Sequence, residues 1–185
     1  MNLKSFFYKK VNSTNDLAIK KIKQGYLNGI IISEEQLKGR GRRGKKWISL
    51  KGNLFITIFF EISEKKSLQI ITNFNLNIIK KILSDLLKTK ISVKPPNDLL
   101  INKKKICGIL QETIFFNTNK FLIVGVGINL IKYPIIKNYP TTSLLNEKGH
   151  KISKLKIINM IKKKYEMKLK KLKINNLIDR NIKCI

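Results

Sequence analysis

Residues 53 to 62, NLFITIFFEI, form a nearly continuous apolar run in which β-prone side chains predominate. A strand of this kind has no polar face to turn to water, so it belongs in the interior of a sheet. The rest of the chain must supply its neighbours. SFFYKKV (5–11) has strand-like composition, and NGIIISEEQ (28–36) reads as a further strand. Between them, STNDLAIKKIKQG (13–25) reads as a short helix. Ser13 and Thr14 are N-cap candidates, Leu17, Ile19 and Ile22 form its apolar side, and Gly25 stops it.

After the apolar run, residues 67 to 88 repeat Leu, Ile and Phe at helical spacing. ISVKPPNDLLIN (91–102) is a strand running into a Pro-Pro-Asn-Asp turn. KKKICGILQETIFF (103–116) and KFLIVGVGINL (120–130) read as a hairpin closed by the polar tip NTNK. A loop containing Pro134 and Pro140 leads to TTSLL. Residues 152 to 172 place Leu155, Ile158, Ile161, Tyr165, Leu169 and Leu172 on one face of a basic helix, expected to dock on the domain's own sheet. The expected architecture is one α/β domain with a mixed, mostly antiparallel sheet and helices against one side.

The 185 residues suffice for one well-buried domain, and a hydrophobic fraction of 43% is ordinary for a globular chain. The formal net charge of +28 is not. It has two competing causes: drift toward Lys, Ile and Asn, which share A/T-rich codons, or a functional basic face. Cys107 and Cys184 lie far apart and outside any ligand spacing, which fits a reducing cytosol and argues against a disulfide framework or zinc site. The single histidine, His150, sits in a turn-like stretch, so Ser/His or Cys/His catalysis is not expected. The start has no apolar core long enough for a signal peptide, and no segment approaches a membrane span.

KGRGRRGKKW (38–47) packs six cationic side chains and three glycines into ten positions. GRGRRG matches the dinucleotide pattern G-x-G-x-x-G, with Glu61 some twenty residues on. That fingerprint needs a helix directly after the glycines, whereas a strand follows here. The segment is better read as a flexible basic loop able to close over an anionic ligand. STND offers hydroxyls and an amide at a strand-to-helix turn, KPPND holds Lys94 at a strand end, and ICGIL and GVGINL place Gly108, Gly125 and Gly127 inside apolar strands, where a missing side chain marks close approach.

The order of these stretches resembles the catalytic domain of biotin protein ligases (biotin–[acetyl-CoA-carboxylase] ligases). The matching residues are Ser13, Thr14 and Asn15; Gln36, Gly39 to Gly44 and Trp47; Lys94, Pro96, Asn97 and Asp98; Lys105, Gly108, Ile109, Leu110 and Glu112; and Gly125, Gly127, Ile128 and Asn129. The resemblance runs from about residue 5 to 145 and includes the Thr-Ser-Leu of TTSLL. It implies the biotin/lipoate ligase catalytic-domain fold, which is similar to class II aminoacyl-tRNA synthetases. It also implies a two-step reaction: biotin carboxylate attacks the α-phosphate of ATP, with Mg²⁺, and a lysine of the biotin carboxyl carrier protein then takes the biotinyl group from the adenylate.

By the same resemblance Lys94 and Arg42 carry the catalytic charge. Ser13, Thr14, Asn15, Gln36, Arg40, Gly41, Arg42, Lys94, Gly108 and Ile109 line the biotin slot, Arg40, Arg42, Trp47 and Asn129 meet the nucleotide, and no residue is implied as a metal ligand. Pro95 stands where the family usually has Trp. The twelve residues before Ser13 leave no room for the winged-helix DNA-binding domain of bifunctional members, and INNLIDRNIKCI (174–185) is too short for a complete SH3-like β-domain. The expectation is one cytoplasmic catalytic domain over residues 1–185, with no specific DNA and no membrane partner. A lipoate ligase and a non-enzymatic nucleic-acid binder are the rival classes.

Overall fold

A computed structural model describes residues 2–63 and 67–181. Seven strands form one sheet in the order β1-β2-β3-β7-β6-β5-β4. They are β1 (Lys4–Val11), β2 (Asn28–Gln36), β3 (Leu54–Ile62), β4 (Ser92–Lys94), β5 (Asp98–Ile101), β6 (Lys104–Phe116) and β7 (Asn119–Ile128). β1 and β2 are parallel and every other pair is antiparallel. The apolar run is β3, flanked on both sides by β2 and β7, as its composition requires. The expected strand and Pro-Pro-Asn-Asp turn are present as β4 and the turn at Pro95-Pro96-Asn97, and a second short strand, β5, returns antiparallel from it.

Helices cover both faces of the sheet, not one. On the first face, Ile30 and Ile32 of β2, the even-numbered residues Leu54 to Phe60 of β3 and Leu122 to Ile128 of β7 form the larger core. It is closed by α2 (Leu68–Leu87) and α4 (Lys154–Asn181). On the second face, Ala18 and Ile22 of α1 (Thr14–Lys23) pack on Ile31, Phe59, Phe121 and Ile123. The period of two makes this two-sided covering unavoidable, because β3 and β7 are apolar on both alternations. A short helix, α3 (Leu144–Lys148), follows an N-cap at Ser143.

α4 buries Ile157, Ile158, Ile161, Tyr165 and Leu169 in the larger core. Leu155, expected on that face, is 59% exposed: Ile157 and Ile158 set the buried stripe, and Leu155 falls off it. The helix also runs on past residue 172, to Asn181. The Leu172 side chain and Cys184 lie outside what is described.

Candidate active site

On the second face α1 reaches only half-way along β7. Phe121 and Ile123 pack under it, and the next two residues of the same row are Gly125 and Gly127. Sheet register extends this floor sideways. Thr57 and Phe55 of β3 pair with Gly125 and Gly127, which in turn pair with Leu110 and Gly108 of β6. Asp98 of β5 pairs with Gly108, and Lys94 of β4 pairs with Asp98 at the sheet edge. The floor borders a cavity of ≈ 850 Å³, within the range of small-molecule sites.

One end of the cavity is neutral and polar. Ser13 caps α1, its Oγ accepting from the Asp16 N–H at 3.4 Å, so Thr14 and Asn15 begin the helix inside the wall. Both are buried, as is Ser13. The Thr14 N–H and hydroxyl donate to Gln36 Oε1 at 2.8 and 2.9 Å, and Gln36 Nε2 donates to Ser49 Oγ at 3.2 Å. The Thr57 hydroxyl donates to Asn15 Oδ1 at 2.6 Å. A Cβ on Gly125 would overlap that carboxamide, so this strand glycine makes room for Asn15.

The other end is cationic. Arg40, Arg42, Arg43, Lys45, Lys46, Lys105 and Lys137 line the cavity against a single carboxylate, Asp98. Such a balance selects an anionic ligand. The glycine-arginine segment folds back on itself rather than starting a long helix: Arg40 bridges to Lys46, and Trp47 N–H donates to Gly39 O at 2.9 Å. A single 3₁₀ turn, Arg42–Gly44, forms its tip, with Arg43 and Gly44 at φ 51° and 73°. A side chain on Gly39 would stand 2.6 Å from Ser49 Oγ and 2.7 Å from Trp47 O, so only glycine fits there. Arg42 is exposed and makes no ion pair among the described residues.

Trp47 uses the floor glycines. A Cβ on Gly108 would lie 2.7 Å from its Cζ3, and one on Gly127 2.5 Å from its Cε2. The space at these glycines, expected to admit a ligand, is taken by the protein's own indole, whose Nε1 is buried without a partner among the described residues. Ile109 borders the cavity through its main chain: its N–H donates to Asn97 O at 2.9 Å, while its side chain sits in the larger core.

Two expected site residues do not line the cavity. The exposed Lys94 carries its Nζ over the Tyr139 ring, 4.0 Å from the centroid, because β4 is the edge strand and the ring stands beside it. Asn129 is buried beneath the wall. Its Nδ2 donates to Thr142 O at 3.0 Å, and its main chain bonds Ile106 and Leu144, while Oδ1 lacks a partner.

Lys105, by contrast, lines the cavity. Its side chain is 19% exposed and pairs with Asp98 at 2.9 Å, and its Nζ lies 5.3 Å from the Trp47 ring centroid. Tyr139 closes this group by donating its hydroxyl to Asp98 Oδ2 at 2.7 Å. Desolvation, and then this bond to Asp98, hold the phenol pKa well above its ordinary value, so it stays a neutral donor. Residues 140–142 also bracket the lysine, with Lys105 N–H donating to Pro140 O and Thr142 N–H to Lys105 O. The sequence reading matches Lys105 through Lys-x-x-Gly but gives it no site role; three residues from Gly108, a regular strand would turn it to the opposite face. A bulge at Ile106 restores it: Leu99 pairs with Cys107 and Leu100 with Lys105, and Ile106 and Cys107 both enter the core. The Lys-x-x-Gly spacing was the available signal.

Among the described residues no three His, Cys, Asp or Glu side chains come together to hold a metal. Asp98, the one acidic group in the wall, is already engaged by Lys105 and Tyr139. The donor set therefore offers Mg²⁺ no protein cradle among the described residues.

Residues 7–129 match the family model described as "Biotin/lipoate A/B protein ligase family". The bifunctional ligase/repressor BirA of Escherichia coli is 33% identical over 123 residues, spanning 65% of this chain and 38% of that relative. A biotin–[acetyl-CoA-carboxylase] ligase of Paracoccus denitrificans is 26% identical over 82% of this chain and 67% of its own. The fold superposes on the biotin protein ligase of Aquifex aeolicus in complex with biotin and ATP, with a TM-score of 0.75, 26% identity, and coverage of 91% of this chain and 71% of that one. A lipoate-bound Plasmodium falciparum protein, LipL1, shares the fold at a TM-score of 0.61 and 14% identity. The chain thus spans well under half the length of the Escherichia coli relative.

Proposed function

We propose, for a chain that belongs to the biotin/lipoate A/B protein ligase family, that it activates biotin with ATP and transfers it to a lysine of a carrier protein. The observation that carries this is a single cavity with two chemically different ends. Thr14, Asn15 and Gln36 present an amide and hydroxyl cluster to a neutral polar head, and of the seven cations at the other end five are outside any ion pair among the described residues and can meet a carboxylate or phosphate. Biotin has that polarity, a neutral ureido ring at one end and a carboxylate at the other.

In the first step a biotin carboxylate oxygen bonds to the α-phosphorus as the bond to pyrophosphate breaks. Two anions must meet, so the barrier falls chiefly through positive charge and positioning. Lys105 is placed to meet that charge, with Asp98 and Tyr139 fixing its ammonium, and Arg40 and Arg42 approach from the loop. Lys94 backs this group from behind the Tyr139 ring. In the second step the carrier lysine's amine attacks the acyl carbon and AMP leaves. Neither step needs a covalent enzyme intermediate. Trp47 supplies an aromatic wall beside the cations, suited to the nucleotide. Asn129 serves by holding the Thr142 turn, its free Oδ1 remaining as an acceptor on that side.

The biotin carboxyl carrier protein of acetyl-CoA carboxylase is the proposed acceptor, because the Paracoccus denitrificans relative carries that name. No helix among the described residues is long and apolar enough to cross a membrane, and a cytoplasmic setting suits an enzyme that uses ATP. Calorimetric titration with biotin and, separately, lipoate tests the substrate. Tight biotin binding with lipoate at least a hundredfold weaker supports the proposal, and the reverse order overturns it in favour of a lipoate ligase.

A further inference from the structure

Behind the cavity wall, Glu112 joins the loop to the polar end of the site. Its two oxygens accept from Arg40 Nη1 and Nη2, each at 2.8 Å, in the bidentate geometry that suits a guanidinium. Glu112 Oε2 also accepts from Asn15 Nδ2 at 2.7 Å. Glu112 itself is outside the cavity lining and its side chain is 27% exposed. Sheet register explains the placement: Glu112 pairs with Ile123, two residues along from the Leu110–Gly125 pair, so it shares the cavity face.

We infer that Glu112 is a positioning residue that couples loop closure to the orientation of the Asn15 amide. An ionised carboxylate only accepts, so it requires the NH₂ of Asn15 to face it and turns the carbonyl toward Thr57. Thr57 Oγ1 also lies 2.8 Å from Thr14 Oγ1, a packed contact that carries no proton once Thr57 donates to Asn15 and Thr14 to Gln36, and from Thr14 the hydrogen bonds run to Gln36 and to Ser49, whose Oγ donates to Trp47 O. Arg40 and Trp47 are both in the loop, so the chain of polar contacts starts and ends there and crosses the polar wall between. Asp16 adds a second carboxylate to Arg40 at 2.8 Å but, among the described residues, accepts no hydrogen bond from the Asn15 or Thr57 side chain, so it can hold the loop without setting the amide. Glu112 alone does both.

The inference rests on the biotin-ligase proposal for the identity of the ligand, but not for the clamp itself. The test compares Glu112→Gln with the unsubstituted chain in two assays. The first is the rate of trypsin cleavage between residues 38 and 47 without substrates, resolved by mass spectrometry. The second is the pair of KM values for biotin and ATP in adenylate formation. A glutamine can offer an NH₂ to Asn15, leaving only the long 3.5 Å contact from Nδ2 to Leu110 O to orient the amide, and it gives up one of the two carboxylates that hold Arg40. The expected result is cleavage at least fivefold faster within the loop alone, and a KM for biotin raised at least tenfold with the KM for ATP within twofold. Unchanged loop cleavage, or equal rises in both KM values, overturns the inference. If the unsubstituted chain makes no adenylate from biotin, the ligase proposal fails while the cleavage comparison still decides the clamp. If Glu112→Gln does not fold, Glu112→Asp decides: its shorter carboxylate cannot span both partners, so a rise in the biotin KM alone supports the coupling and no rise overturns it.

Discussion

Lys105 lines the cationic end of the cavity, held by Asp98, bracketed by residues 140–142 and beside the Trp47 ring. Removing one preorganised charge-stabilising group of this kind typically lowers a rate by about 10²–10³. Lys105→Ala is therefore expected to slow adenylate formation by about that factor, and Lys94→Ala by less than about tenfold, when single-turnover pyrophosphate release is followed. The opposite ranking would return the central role to Lys94. The residue types of the site were readable in the sequence, because Ser13, Thr14, Asn15, Gln36, Arg40, Gly41, Arg42, Trp47 and Gly108 all reach the cavity. Which lysine enters it depends on a one-residue bulge at Ile106, which sets the face of Lys105 and shows in the sequence only as the Lys-x-x-Gly spacing.

At the scale of elements, the helices are held to the sheet by a buried polar chain as well as by apolar packing. Tyr165 of α4 donates its hydroxyl to Asn75 Oδ1 at 2.8 Å, and Asn75 Nδ2 of α2 donates to Gln111 Oε1 of β6 at 2.6 Å. All three elements meet at Asn75, which is fully buried. Tyr165→Phe would leave the Asn75 carbonyl without its donor, at about 1–3 kcal/mol. Denaturant unfolding should show a lower midpoint with an unchanged slope, and equal midpoints would mean that the chain is immaterial. Strand and helix positions were legible where the period is clear, as for β2, β3 and α2. The Pro-Pro-Asn-Asp turn was legible too, but not the four-residue strand that returns from it, and α1's separate face was missed although β3 and β7, apolar on both sides, require a cover on each.

The whole molecule carries a formal +28, and the described structure concentrates part of that charge around one cavity. Its stability should also be sensitive to base. Burial first, and then the Asp98 carboxylate, push the Cys107 thiol above its ordinary pKa of 9.0, although Lys105 pulls the other way. Burial likewise raises the Tyr165 phenol above 10.0. Both groups stay protonated in the folded chain but ionise once unfolded. Their contribution is therefore fully present below about pH 9 and is lost as pH rises above it. Thermal melts should fall steadily from about pH 9 upward, and Cys107→Ala should move the onset toward pH 10, where Tyr165 begins to act. A flat profile across that range would contradict the burial of both groups.

The central claim is that one cavity brings biotin carboxylate and ATP together. The most direct measurement is exchange of labelled pyrophosphate into ATP by the purified chain, with and without biotin. The account predicts exchange that depends on added biotin, is unmoved by lipoate, and falls by about 10²–10³ in Lys105→Ala. Exchange that ignores biotin, or its absence from a folded protein that binds both substrates, would contradict it.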